Sequence, residues 1–205
     1  MRIGCLLLLA ILLIVSVPGC ASPATSNQTT ITPDSPGSSS TQTTLPVGWL
    51  SDGVISTGEY SDSKNFGDYI ISWRSDDLYL YCGMTAKTSG WVAMALQPGL
   101  RMKNADMVFG FFKDKIAEVQ DLFSMGDFGP HKTDTELGGT DDILAYGGKE
   151  DGTNTTIEFK RLLVTKDNYD IPVTRGINKI LWAFGDSDNP DLKHASKGYG
   201  EINIK

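Results

Sequence analysis

Cysteine and histidine are scarce in this 205-residue chain, with three of the first and two of the second. Cys5 and Cys20 lie near the N-terminus, so Cys82 stands alone in the rest of the sequence. No disulfide framework is available there, and no Cys-x-x-Cys-His segment offers covalent haem attachment. Two histidines without a cysteine pair do not make a usual catalytic zinc site. Gly-x-Ser-x-Gly and phosphate-cradling loops are missing as well, which removes the hydrolase and nucleotide-site readings that depend on them. Basic runs are absent and the formal charge is −7, so nucleic acid is not an expected partner. An acidic surface instead suits charge-steered docking to a basic protein. Nor does any window hold helical periodicity over three turns.

The N-terminus carries an address. Arg2 supplies a positive start, Leu6 to Val17 an apolar run, and Val17-Pro-Gly-Cys20 a small-residue ending. That order is a secretory signal, and its apolar run is shorter than the roughly 20 residues a spanning helix needs. The cysteine after Gly19 resembles the end of a lipoprotein signal. Residues 1–19 are therefore expected to be removed, Cys20 to be lipidated, and the chain to sit at the cell surface or periplasmic face, anchored to the membrane. Losing Arg2 takes the formal charge from −7 to −8. Residues 20–47 are rich in Ser, Thr, Pro, Asn and Gln, with almost no large apolar side chain. Such a segment cannot repay its ordering entropy and is expected to be a disordered tether. Its typical reach is roughly 30 Å.

Residues 48–205 are long enough for one domain with a real core. Short apolar-alternating runs dominate: Asp68–Arg74, Leu78–Met84, Trp91–Leu96, Met107–Lys113, Ile116–Leu122, Ile143–Tyr146, Thr155–Arg161, Ile177–Phe184 and Gly198–Ile204. Asp114-Lys115 between two of them reads as a two-residue hairpin turn. Cys82 alternates within its run and reads as a small core hydrophobe. Many short strands at this spacing predict an all-β, immunoglobulin-like antiparallel β-sandwich of about nine to eleven strands. In such a fold the polar clusters at 126–130, 137–142 and 185–190 belong to loops at the two ends, where function is carried.

Two residues stand out chemically. Met102 lies in the loop between two of the most apolar runs, an odd place for a long apolar side chain, and His194 follows the 185–190 cluster. A thioether and an imidazole are common axial ligands of haem iron. On residue type alone, though, a methionine is more often core filler and an isolated histidine more often a surface group, so both readings stay open. Met107 alternates with Val108 and reads as core; His131, in Gly129-Pro-His-Lys, reads as surface. The carboxylates of Asp141, Asp142, Asp186 and Asp188 read as solvated turn acids rather than as a glycosidase pair or a Ca²⁺ site.

Taken together, a series of short motifs resembles a DOMON domain, the β-sandwich at the N-terminus of dopamine β-monooxygenase. The series runs from Asp52-Gly-Val-Ile-Ser-Thr-Gly-Glu-Tyr60 through Gly90-Trp91, Asn104-Ala-Asp106 and Gly138-Gly-Thr-Asp-Asp142. It continues in Phe159-Lys-Arg-Leu162, Asp167-Asn-Tyr-Asp170 and Trp182-Ala-Phe-Gly185, so that the resemblance covers most of residues 50–204. Some members of that family, similar to the cytochrome domain of cellobiose dehydrogenase, bind b-type haem between a methionine and a histidine; others lack the pair. The resemblance places that methionine at Met102 and that histidine at His194. It names Lys193 or Lys197 as second choices, because some relatives use a lysine. The copper-binding catalytic domains of the monooxygenase have no counterpart in this sequence.

The resemblance thus implies a tethered electron-transfer domain holding non-covalent haem b through Met102 and His194, with no catalytic site of its own. Trp91, Met94, Met107 and Phe184 are candidates to wall the porphyrin. The expected partners are a redox protein or membrane electron donor, and the membrane through the lipid anchor. The alternatives are a haem-free DOMON module binding a sugar or other small ligand in an end pocket, and a haem sensor or carrier.

Overall fold

A computed structural model describes residues 48–205. The signal segment, Cys20 and the tether lie outside the described residues. In chain order the elements are β1 (Asp62–Asn65), β2 (Tyr69–Ser75), β3 (Tyr79–Ala86), β4 (Val92–Leu96), β5 (Asp106–Lys113) and β6 (Ile116–Phe123). They continue with β7 (Lys132–Thr133), the single-turn α1 (Asp134–Leu137), β8 (Ile143–Glu150), β9 (Thr155–Leu162), β10 (Gly176–Phe184) and β11 (Ser196–Ile204). All pairing is antiparallel. One sheet has the order β1-β2-β3-β9-β8, the other β11-β10-β4-β5-β6-β7. The expected all-β sandwich is what the chain forms. Among the described residues no helix is long and apolar enough to cross a membrane.

Alternation explains which face each strand buries. From the five-stranded sheet, Ile71, Leu80, Met84, Ile157 and Phe159 point between the sheets. Val92, Met94, Leu96, Val108, Ile180 and Ile202 of the other sheet meet them. Cys82 is in the same core, free and fully buried. The remaining positions of β4 and β5 are apolar too. Ala93, Ala95, Met107, Phe109 and Phe111 join Trp91, Leu122 and Leu181 in a second cluster on the outer face of the six-stranded sheet. In an ordinary sandwich that face would alternate to polar residues. Here β4 is buried along its whole length, so something must cover it. Three loops do.

Between the sheets, at one end, the core turns ionic. Arg161 on β9 is fully buried, and its guanidinium bonds both carboxylate oxygens of Asp106 on β5 at 2.9–3.0 Å. It also pairs with Asp170 at 2.9 Å. Asp121 on β6 lies in the same cluster, where burial pushes its carboxyl up to about 8. The nearby Asp134 is raised to about 7, first by burial and then by the charges of Asp170 and Asp106. Burial also raises Asp106, against the pull of Arg161. This bridge crosslinks the two sheets.

Elsewhere the sequence understates the structure. β1 is Asp-Ser-Lys-Asn, without apolar alternation, and pairs only at the sheet edge with β2. β7 and α1 are too short to carry a period; they form because Thr133 caps the turn while Glu136 bonds back to the Thr133 amide. The Asp114-Lys115 hairpin is as expected, with both residues at positive φ, 51° and 67°, the geometry of a type I′ turn.

Candidate functional site

The outer face of the six-stranded sheet forms the floor of a cavity of about 970 Å³. The expected pocket at an end of the sandwich is corrected by this placement. End loops do build it, but they fold over the sheet face, because the apolar outer positions of β4, β5 and β10 reward cover. Ala93, Ala95 and Ala183 line the floor, with Ala93 directly opposite Ala183 across the β4–β10 pair. Three alanines give a low floor on which a flat ligand can lie close to the backbone. Leu181, Met107, Phe109 and Trp91 rise around it. Phe109 and Trp91 lie ring against ring, centroids 4.8 Å apart.

The first covering loop, residues 97–105, brings Met102 to the cavity. It is tightly built. Gln97, Arg101 and Asn104 all hold positive φ, at 41°, 59° and 61°, conformations that cost non-glycine residues energy and persist where the surroundings enforce them. The Gly99 amide donates to the Lys103 carbonyl, the Ala105 amide to Met102, and the Asn104 amide to Ser124. Leu100, Arg101, Lys103 and Asn104 are exposed, whereas Met102 is half-buried and packs against the outer-face cluster. The loop spends its strain turning one side chain inward.

A second loop, residues 185–195, brings His194. The Gly185 amide donates to the Trp91 carbonyl, the Trp91 amide to Ser187, and the Ala195 amide to Phe184, while the Thr88 hydroxyl donates to the Gly185 carbonyl. Glycine is required at both contact points. A Cβ on Gly90 would stand 2.3 Å from the Ser187 nitrogen, and one on Gly185 would stand 2.3 Å from the Trp91 indole nitrogen. Burial lowers the His194 pKa, with Lys197 and Lys193 acting in the same direction. The imidazole is therefore neutral at pH 7, the form that binds metals.

The third loop, residues 124–131, supplies Phe128 and His131. Arg101 lies over the Phe128 ring at 5.0 Å, which ties this loop to the first. His131 is half-buried in the cavity wall, 6.2 Å from the Phe109 ring, so its reading as a surface residue is corrected. Met107 is buried in a core cluster, as its alternation with Val108 implies, and that cluster is the one on the outer face of the six-stranded sheet, beside the cavity. Of the candidate wall residues, Trp91 and Met107 belong to the outer-face cluster and line the cavity; Met94 borders it from the inter-sheet core, and Phe184 belongs to that core and does not reach the cavity. Its parity on β10 sends it inward. Lys193, Lys197 and Arg101 are exposed at the mouth. Two of the four turn acids make turn hydrogen bonds: Asp141 accepts from the Ile143 amide, and Asp142 from the Thr140 hydroxyl.

Residues 64–185 match the DOMON domain. This chain belongs to the DOMON family. It is 28% identical over 146 residues to MOXD1 homolog 1 of Drosophila melanogaster, covering 68% of this chain and 21% of that protein. It is 28% identical over 122 residues to DBH-like monooxygenase protein 1 of Mus musculus, covering 60% and 19%. The DOMON chain thus spans about a fifth of the length of the curated relatives it matches. Among solved structures, it superposes on the cytochrome b domain of pyranose dehydrogenase from Coprinopsis cinerea with a TM-score of 0.49 at 16% identity, over 66% of this chain and 76% of that one. The cytochrome domain of Myriococcum thermophilum cellobiose dehydrogenase gives 0.48 at 12% identity, over 67% and 75%.

Set within the DOMON fold, the motifs of the sequence acquire physical roles. Asp106, Arg161 and Asp170 come from three separate motifs and form the buried ion bridge. Thr140 of a fourth bonds Asp167 through both its amide and its hydroxyl. Gly53 and Tyr60 of the first both donate to Glu158. Gly90-Trp91 and Trp182-Ala-Phe-Gly185 are the two sides of the His194 loop anchor. These motifs hold the sandwich together and position the loops, while Met102, His131 and His194 reach the cavity from the three loops, with Met107 beside them on β5 and Lys193 and Lys197 at the mouth.

Proposed function

We propose that this DOMON domain binds haem b in the outer-face cavity, where Met102 and His194 would hold the iron, and passes single electrons to a redox partner. The observation that carries the proposal is that two residues far apart in sequence, named by chemistry and by family resemblance, line one cavity. The cavity suits the group. Its volume falls at the upper end of the range of small-molecule and cofactor sites, its floor is small and apolar, and Arg101, Lys193 and Lys197 at the lining outnumber the carboxylates of Asp127 and Asp191 there.

The roles of the side chains follow from the donor set. Met102 offers a soft thioether from a loop that cannot easily swing away. His194 offers a neutral imidazole on a loop hung from β10 and β11. The outer-face cluster excludes water. Haem held by two side chains supplies reversible one-electron chemistry, and methionine in place of a second histidine raises the reduction potential. The domain is a conduit without substrate turnover of its own. Lipidation at Cys20 with the tether would keep it at a membrane surface, within reach of a membrane donor.

Absorbance tests the reading. Protein reconstituted with haem is expected to show a sharp reduced α-band that Met102→Ala and His194→Ala each abolish or shift. Protein that takes up no haem, or a spectrum indifferent to both substitutions, refutes it and leaves the small-ligand module. Rapid reduction of the loaded protein by a candidate donor separates electron transfer from haem carriage. Release of a Cys20→Ser chain from the membrane fraction tests the anchor.

A further inference from the structure

The cavity holds a third donor. His131 reaches it from the connection between β6 and β7, whereas His194 comes from the connection between β10 and β11. In the sheet, β10 and β6 are separated by β4 and β5. The two histidine-bearing connections therefore leave strands roughly 14 Å apart, three inter-strand spacings. Met102 comes from the β4–β5 connection between them. The pocket thus has an imidazole arriving from each flank and a thioether between.

His131 is held for this position. It immediately precedes β7, whose Lys132 and Thr133 pair with Phe123 and Leu122, and Thr133 in turn caps α1. On its other side a Cβ at Gly129 would stand 3.5 Å from the imidazole Nε2, an ordinary contact, so the backbone packs beside the ring without crowding it. The His131 Nδ1 is buried with no hydrogen-bond partner. Buried side-chain nitrogens are seldom left so, and each such case asks for a use.

Resting on the haem reading above, we propose that His131 is a second iron donor of this pocket, able to hold haem with His194 in place of Met102. The pocket then offers two ligand sets of different softness. One is thioether with imidazole; the other is imidazole with imidazole, which sets a lower reduction potential.

The test is haem titration of the full chain, recording ferric spin state and midpoint potential. Met102→Leu is expected to stay six-coordinate and low-spin, with its potential lowered. Met102→Leu combined with His131→Phe is expected to turn high-spin and to return to low-spin when free imidazole is added. His131→Gln in place of His131→Phe keeps a polar side chain in the loop, and melting curves of the apoproteins verify folding. A Met102→Leu protein that is already high-spin overturns the proposal while leaving Met102 and His194 as ligands. A double variant that stays low-spin also overturns it, and points to Met107, Lys193 or Lys197. If the unaltered chain binds no haem, the haem reading falls and this proposal with it.

Discussion

Arg161 is the largest fully buried side chain among the described residues, and it carries the one positive charge in a cluster that includes Asp106, Asp121 and Asp170. Removing one member of a buried ion pair strands the other, at a cost on the order of 3–5 kcal/mol. Arg161→Met is therefore expected to destabilise the domain by about that amount at pH 8, measured by urea unfolding. Lowering the pH should shrink the deficit, because the stranded carboxylates then take up protons. A deficit independent of pH would assign the loss to packing instead. The residue scale is also where the sequence was least legible. Arg161, Asp106 and Asp170 were visible as motif members, but their meeting depends on pairing β9 across from β5. His131 gave no signal, since nothing local tells a loop histidine facing a cavity from one facing water. Met102 could be singled out because an apolar side chain in a polar loop asks for an explanation; His194 drew its weight from the resemblance.

Elements were read more easily. Nine strands announce themselves as short alternating or unbroken apolar runs, and β8 merely extends beyond Tyr146 to Glu150. Those missed, β1 and β7, are polar or two residues long, and only their neighbours make them strands. What alternation did not convey was the second buried face. An unbroken apolar run such as Val92–Leu96 says that both faces are covered, not by what. At this scale the β5–β6 hairpin offers a clean test. Asp114 and Lys115 both sit at positive φ, where glycine is favoured at the second position of a type I′ turn. Lys115→Gly is expected to raise stability by up to about 1 kcal/mol, the gain from relieved strain exceeding the added freedom of the unfolded chain. A lowered midpoint in urea would show that the turn is not strained.

Over the whole molecule, buried carboxylates set the pH response. Burial raises Asp121 to about 8 and Glu158 to about 7; for Asp134 burial together with neighbouring charges gives about 7. Between their ordinary values and these, the folded state holds protons that the unfolded state has lost. Stability contributed by such groups is fully present below about pH 4 and declines as pH rises toward 8. Asp76 and Asp167 act oppositely. Both are lowered, with amide and hydroxyl hydrogen bonds offsetting a burial effect that acts the other way, and they lose their contribution as pH falls below the usual carboxylate range. The domain should therefore be most stable at about pH 4–5 rather than at neutrality. Melting temperatures from pH 3 to 9 test this, and Asp121→Asn should flatten the alkaline limb. An optimum at pH 7 or above would contradict it.

Cys82 sits on β3, the middle strand of its sheet, with β2 on one side and β9 on the other. Its thiol is free and wholly enclosed, and burial raises its pKa. That makes it a clock for the molecule. In a chain with the N-terminal cysteines removed, a thiol reagent can reach sulfur only when the centre of the sandwich opens, so the labelling rate should follow global unfolding and slow on adding any ligand that binds the folded form. Labelling faster than unfolding would reveal a partial opening that leaves the far sheet intact. The same residue that rules out a disulfide thus reports, without any introduced probe, how often this fold comes apart.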